Sequence, residues 1–436
     1  MDRLAYWCIW LRRRSFFRMA QRTFSTLMPL AMIGAYFQVL QDSVFSPESF
    51  IYNLFDFDKL MSDTFWDIGM SLSQSVVQVI FSLFGIYVVY FAAAFTADLY
   101  KKDHTMAGIS GSTILLVISY LTQMGKTGRV SLFQSPFLSI QYTLIALVVG
   151  YIVGQIFHWL APAYEQVDYE HARMVQTRAL NALKPSTVSI LIGAAAGGLA
   201  YWLASQAGRT GSFAAFWSPI ENSNNLLEIV PATILASFLN WIGIESPIAD
   251  MSNLTTSAAA TANLNFVLRR GSVWNVPYRF LGGSLIYSYG TMGGCVAVLA
   301  ILLAILIWGR RREAETVSKL NLIPVLFSSA RGFMIGLPVV LNPIFCLQLT
   351  ILPAFNVLVA SLAIALKIVP TPVYAVLTGT PGPLTAFFAT NGNWPTLIFS
   401  ICLFIADILL MVPAVKLDNH AKRLLQQYER KEDQHV

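Results

Sequence analysis

The sequence predicts an all-α polytopic membrane protein with about ten transmembrane helices, two re-entrant hairpins and an interfacial amphipathic helix. Three observations carry that expectation. Of 436 residues, 56% are hydrophobic and only 12% charged, and the mean hydropathy is +0.59, outside the range of soluble globular domains. Apolar runs long enough to span a bilayer recur along the chain, and Lys and Arg gather in short clusters beside them, the mark of positive-inside topology. Several other apolar stretches are interrupted by glycine and proline, which a single spanning helix does not accommodate unbroken. The net charge of +6 is therefore assigned to cytoplasmic loops and not to a nucleic-acid surface. Cys8, Cys295, Cys346 and Cys402 lie far apart, with no CxxC spacing. They read as buried apolar side chains, neither a metal site nor a disulfide framework, and no cofactor is expected.

Residues 1–22 mix Arg12, Arg13, Arg14, Arg18 and Arg22 with Leu4, Trp7, Ile9, Trp10, Leu11, Phe16 and Phe17, as in an amphipathic helix on the inner leaflet. No secretory cleavage site follows, so the first span, residues 24–40, is expected to be retained with its start inside. Pro29 and Gly34 within it invite a kink and close helix approach. An outer loop with short helical pieces should run to Asp67, and spans fit residues 70–97, 106–124 and 137–161. Charge then rises through Glu165, Asp168, Glu170, His171, Arg173, Arg178 and Lys184 to Pro185. That stretch reads as a cytoplasmic interfacial helix, too short to bury a core of its own. The fifth span is expected at 188–204, where Gly193, Gly197 and Gly198 permit tight packing. Residues 280–308 read as a clear span ending at Arg310, Arg311 and Arg312, residues 344–368 as another, and residues 395–415 as the last. Lys416, Lys422, Arg423, Arg430 and Lys431 place the tail inside.

Between these spans lie the broken stretches. Residues 226–244 are hydrophobic but carry Pro231, and they lead into Trp-Ile-Gly-Ile-Glu-Ser-Pro at 241–247. Residues 250–265 are too rich in Ser, Thr and Asn to face lipid, which marks a first re-entrant segment. A second lies at 328–343, interrupted by Gly332, Gly336, Pro338, Asn342 and Pro343. Its one charge is Arg331, and an ionisable residue at membrane depth is a functional candidate; the alternative is an arginine snorkelling to the interface. A third irregular stretch covers 378–393. Two broken hydrophobic segments in different parts of a chain point to a transporter's binding site.

Ile-Gly-Leu-Pro-Val-Val-Leu-Asn-Pro at 335–343 resembles the signature of the enzyme IIC membrane subunits of the lactose, cellobiose and diacetylchitobiose branch of the sugar phosphotransferase system. Further pieces fall in the family's order: Leu-Met-Pro-Leu at 27–30, Trp-Ile-Gly-Ile at 241–244, Phe-Leu-Gly-Gly-Ser at 280–284, the three arginines at 310–312, and Ala-Phe-Phe-Ala-Thr-Asn-Gly at 386–392. The resemblance implies a homodimer in the plasma membrane of a bacterium, with N- and C-termini cytoplasmic. It implies a dimerisation and scaffold domain over 1–185 closed by the interfacial helix, a transport domain with two hairpins over 186–417, and a cytoplasmic tail over 418–436. Sugar, a disaccharide, would bind in the transport domain, which moves as an elevator, and a separate cytoplasmic IIB subunit would phosphorylate it.

The chain departs from the family at the pocket. Where the family carries a histidine after its Gly-Ile this chain has Glu245, and where it carries a glutamate before Gly-x-Pro this chain has Arg331. An arginine cannot act as a base near neutral pH, so whether the chain is an enzyme stays open and no residue is assigned a catalytic role. The resemblance makes Glu245 and Arg331 neighbours of opposite charge, and pairing them costs less than burying either alone. A rival arrangement leaves Arg331 to hold an anionic ligand. The remaining candidate substrate-binding residues are Ser246, Asn342, Thr378, Thr380 and Asn391, each of which also reads as a cap or turn residue. Two further readings keep the fold: a non-phosphorylating carrier for an atypical or anionic ligand, and a transport-inactive sensor or docking protein.

Overall fold

The computed structural model describes residues 2–127, 135–162, 172–210, 213–245, 257–337 and 339–433. Among them the α-helices are, in chain order, α1 (Asp2–Arg12), α2 (Ser15–Val39), α3 (Phe50–Leu54), α4 (Phe57–Leu60), α5 (Asp63–Ser82), α6 (Phe84–Leu99), α7 (His104–Thr127), α8 (Thr143–Leu160), α9 (Ala172–Thr210) and α10 (Phe213–Asn222). They continue with α11 (Leu226–Ile242), α12 (Ala258–Arg270), α13 (Gly282–Leu285), α14 (Val296–Trp308), α15 (Arg312–Leu326), α16 (Arg331–Gly336), α17 (Pro343–Ala365), α18 (Gly382–Ala389) and α19 (Trp394–Asp433). The described residues contain no strand; an isolated parallel bridge joins Ser49 to Thr378.

Among the described residues, seven helical runs are long and apolar enough to cross a membrane: Ser15–Val44, Asp63–Leu99, His104–Gly125, Thr143–Leu160, Gln176–Gln206, Pro343–Ala365 and Trp394–Leu424. Leu226–Ile242 and Val296–Trp308 are shorter apolar helices. The chain is thus a helical multi-pass membrane protein, as its hydropathy predicts. Two details differ from the sequence reading. Pro185 does not separate an interfacial helix from the fifth span, because α9 runs through it without a break. The carbonyl that a proline leaves unpaired belongs to Asn181, which is exposed, so the missing bond does not end the helix. Residues 280–308 are not one span but α13, a π-helical turn at Ile286–Gly290, a tight turn and α14. In that turn Met292, Gly293 and Gly294 take φ values of 41°, 79° and 95°, a left-handed run that two adjacent glycines make accessible.

The chain divides into two compact units. One comprises residues 11–30 and 78–212. Here α6, α7, α8 and α9 pack around Ala93, Ala97, Ala107, Ile114, Val153 and Phe157. The closeness of α6 and α8 depends on missing side chains. A Cβ at Gly150 would stand 2.6 Å from Ala92 Cβ, and one at Gly154 would overlap Thr96, so small residues let the backbones meet. Asp103 opens α7 by accepting from the Thr105 and Met106 amides at 3.1 Å each, an N-cap arrangement. Its two oxygens also take a fork from Arg178 of α9, 2.6 Å to Nε and 2.7 Å to Nη2.

The other unit comprises residues 1–10, 31–77 and 213–436. Its core lies where α17 meets α11 and the π-helical turn, through Ile229, Ala232, Ala236, Ile286 and Val357, and where α19 covers α14 and α18.

Candidate functional site

α11 ends in a left-handed cap. Gly243 has φ 89° and its amide donates to Asn240 O, while the Ile244 amide donates to Leu239 O at 2.9 Å. This pair of bonds turns the chain sharply out of the helix and delivers Glu245 immediately after the turn. On the second segment α15 stops at Phe327, Ser328 takes φ 65°, and the Ser329 amide returns to Pro324 O at 2.8 Å. Arg331 is then the first residue of the short α16. Gly332 fixes how closely α16 lies against α2, since a Cβ there would sit 2.7 Å from Asn321 Oδ1 and 2.9 Å from Ala35 Cβ.

The two breaks meet. Arg331 Nη2 donates to both oxygens of Glu245, at 3.1 and 3.0 Å. The ion pair anticipated from the sequence therefore forms, with the side chains 27% and 45% exposed. Backbone and side chain tie the same places together: the Leu341 amide donates to Trp241 O at 3.0 Å, and Trp241 Nε1 donates to Asn342 O at 3.1 Å. Leu341 reaches its partner only by adopting φ 57°, a conformation costly for a leucine and held by its surroundings.

Other candidates fall into different places. Asn342 is 4% exposed and caps α17, accepting from the Ile344 amide at 3.2 Å. Thr378 donates to Asp42 O at 3.2 Å and to Glu48 O at 3.3 Å. Thr380 is buried and donates to Leu377 O at 2.7 Å. Gly293 brings this stretch beside the second segment, because a Cβ on it would stand 3.1 Å from Thr385 Oγ1 and 3.6 Å from both Ser328 Oγ and Thr380 O. Asn391 occupies an exposed left-handed turn after α18, at φ 58°, the conformation for which asparagine is suited. Ser246 lies outside the described residues.

The sequence reading missed Gln38 and Asp42. Ser329 Oγ donates to Gln38 Oε1 at 2.9 Å, Gln38 bonds the Asp42 side chain, and the Arg331 charge acts on Asp42. The Arg331 charge thus pairs with Glu245 and also acts on a carboxylate from a second element. Asp42 sits in a π-helical turn, Leu40–Val44, at the end of α2, and such turns concentrate at functional sites. The readable signal was an acid directly after an apolar run. Together the residues form a polar, partly accessible cluster of one cation, two acids, two amides and several hydroxyls between apolar helices. It can hydrogen-bond a polyol through both donors and acceptors.

No known family profile matches the chain. Over 128 residues it is 32% identical to the cellobiose-specific EIIC component of the phosphotransferase system of Lactococcus lactis subsp. lactis, covering 29% of this chain and 26% of that protein. It is 38% identical over 111 residues to the oligo-beta-mannoside-specific EIIC component of Bacillus subtilis, covering 26% and 24%. The match thus spans about a quarter of the length of these relatives. A crystal structure of the IIC component of the N,N'-diacetylchitobiose-specific phosphotransferase system aligns over 95% of this chain and 96% of its own, at 17% identity and a TM-score of 0.42. Through the matched segments, this chain is a sequence relative of the enzyme IIC components of the sugar phosphotransferase system, in line with the resemblance its motifs carry.

Proposed function

We propose that this chain is a sugar permease resembling the IIC component of a phosphoenolpyruvate-dependent phosphotransferase system, taking disaccharides of the cellobiose, lactose or chitobiose type. The observation that carries the reading is the meeting of two broken segments at Glu245 and Arg331, which sets a polar cluster among apolar helices where an uninterrupted span would leave none. Donors and acceptors in that cluster suit sugar hydroxyls, and the two relatives named above are cellobiose-specific and oligo-beta-mannoside-specific. In this reading Glu245 and Arg331 contact substrate, with Asn342, Thr378 and Thr380 shaping the walls and Ser246 and Asn391 as further contacts. The protein works as a homodimer in a bacterial plasma membrane with both termini cytoplasmic. The part holding the site moves as an elevator against a dimerisation part, and a cytoplasmic IIB subunit supplies the phosphoryl group.

One observation favours a second reading, a carrier that does not phosphorylate. Both oxygens of Glu245 are engaged by Arg331, so no carboxylate in the pair stands ready to take a proton from a sugar hydroxyl. Uptake of radiolabelled cellobiose into proteoliposomes, with and without phosphorylated IIB, separates the two. Phosphorylated sugar inside supports the first reading and unmodified sugar the second. Absence of both uptake and binding of any disaccharide tested would overturn both.

A further inference from the structure

We propose that Asp407 is a proton-binding site: its carboxyl takes up one proton from solvent and holds it between α17 and α19, in a two-bond ring with the Asn356 carboxamide. Asp407 lies on the buried stripe of α19 formed by Thr396, Ser400, Leu403, Asp407, Met411 and Ala414, none more than 5% exposed. The spacing of three and four residues aims it into the protein, where the pattern calls for a leucine. On α17, Asn356 is fully buried and its Nδ2 donates to Asp407 Oδ2 at 2.9 Å. What remains is an imbalance. Asp407 Oδ1 and Asn356 Oδ1 are both buried without a hydrogen-bond partner.

Two orphaned acceptors on two groups already joined by one bond lack a single donor between them. A proton on Asp407 Oδ1 supplies it, donating to Asn356 Oδ1 while the existing Asn356 Nδ2 to Asp407 Oδ2 bond closes the ring. Exchanging the oxygen and nitrogen of the Asn356 amide leaves the same shortage, so the argument does not depend on that assignment. No cation competes for the role. Among the described residues, the helices most extensively packed on α19 are α14, α17 and α18, whose residues include no Asp, Glu, His, Lys or Arg, with Cys346 the one thiol, while the π-helical turn adds Tyr289, whose ring meets Phe399. Along α19 the nearest charge is Lys416, nine residues on, about 13 Å along the axis. An ionised carboxylate here would be buried, half hydrogen-bonded and without a counter-charge, the least favourable state for the group. Because α17 begins at the Asn342 cap, the proton clamps to α19 the helix that issues from the second broken segment.

Infrared difference spectroscopy of the full chain in liposomes at pH 7, wild type minus Asp407→Asn, tests the proposal. Asp407→Asn keeps the ring, its amide nitrogen donating where the acid did, and should fold normally, with a melting temperature within about 2 °C of wild type. The expected difference is the C=O stretch of a protonated carboxylic acid that shifts on H2O to D2O exchange. In Asn356→Leu that band moves to higher frequency as its hydrogen bond is lost. A pair of carboxylate bands in place of the acid band overturns the proposal, as does an acid band unmoved by Asn356→Leu. If Asn356→Leu fails to fold, the wild type minus Asp407→Asn spectrum decides alone.

Discussion

Replacing the charges of the Glu245–Arg331 pair one at a time and together measures what their meeting contributes. At 3.0 Å and an effective dielectric of about 20, the raw attraction is about 5 kcal/mol. Solvent reaches 27% and 45% of the two side chains. Screening and the entropy of holding both in one geometry reduce the net coupling to about 1 kcal/mol. Thermal unfolding in detergent of the wild type, Arg331→Gln, Glu245→Gln and the double variant closes a double-mutant cycle, with a coupling of about 1 °C expected. Arg331→Gln should be the worse single change, since the Arg331 charge also acts on Asp42. At about 1 M salt the coupling should shrink, because the pair is accessible to ions. Single effects that add to within about 0.3 kcal/mol would refute the reasoning, showing that the segments are held together by their backbones alone.

Trp241→Phe removes the donor to Asn342 O and leaves a smaller ring in a buried place, and a loss of about 1 to 3 kcal/mol in thermal or denaturant unfolding should follow. Gly332→Ala forces a methyl toward Asn321 and Ala35; a destabilisation of about 1 to 3 kcal/mol, read by the same melts, is expected for such overpacking. In the other unit, burial raises the Asp103 pKa, but the fork from Arg178 and the Met106 amide outweigh it and hold the carboxyl below its ordinary value. A group depressed on folding adds stability that is complete above the ordinary aspartate range and is lost as pH falls through the lower folded value. Asp103→Asn should therefore melt below wild type at pH 7, and the gap should narrow only under acid, below about pH 4.

The membrane class and most spans were legible because lipid exposure imposes a length and a polarity that composition cannot hide. The second broken segment was legible too, since Gly332, Gly336 and Pro343 announce it. The break within residues 280–308 was not. Its apolar side chains satisfy the hydropathy of a span, while the turn depends on φ values at Met292, Gly293 and Gly294 that only surrounding packing selects. The Glu245–Arg331 contact was reached through motif alignment, and nothing in local spacing joins residues 86 positions apart. Asp42 escaped notice because a π-helical turn reorients side chains by inserting one residue, an event without a composition signature.

The bonds joining Trp241 to Leu341 and Asn342 bear on how far the two broken segments can part. Prising these two strips of chain apart would strand an amide, an indole hydrogen and two carbonyls in a place nearly free of water, at about 1 to 3 kcal/mol for each group left bare. Jaws hinged at that point would open rarely. Strips joined by two such bonds should move together, so a displacement of one is expected to carry the other with it.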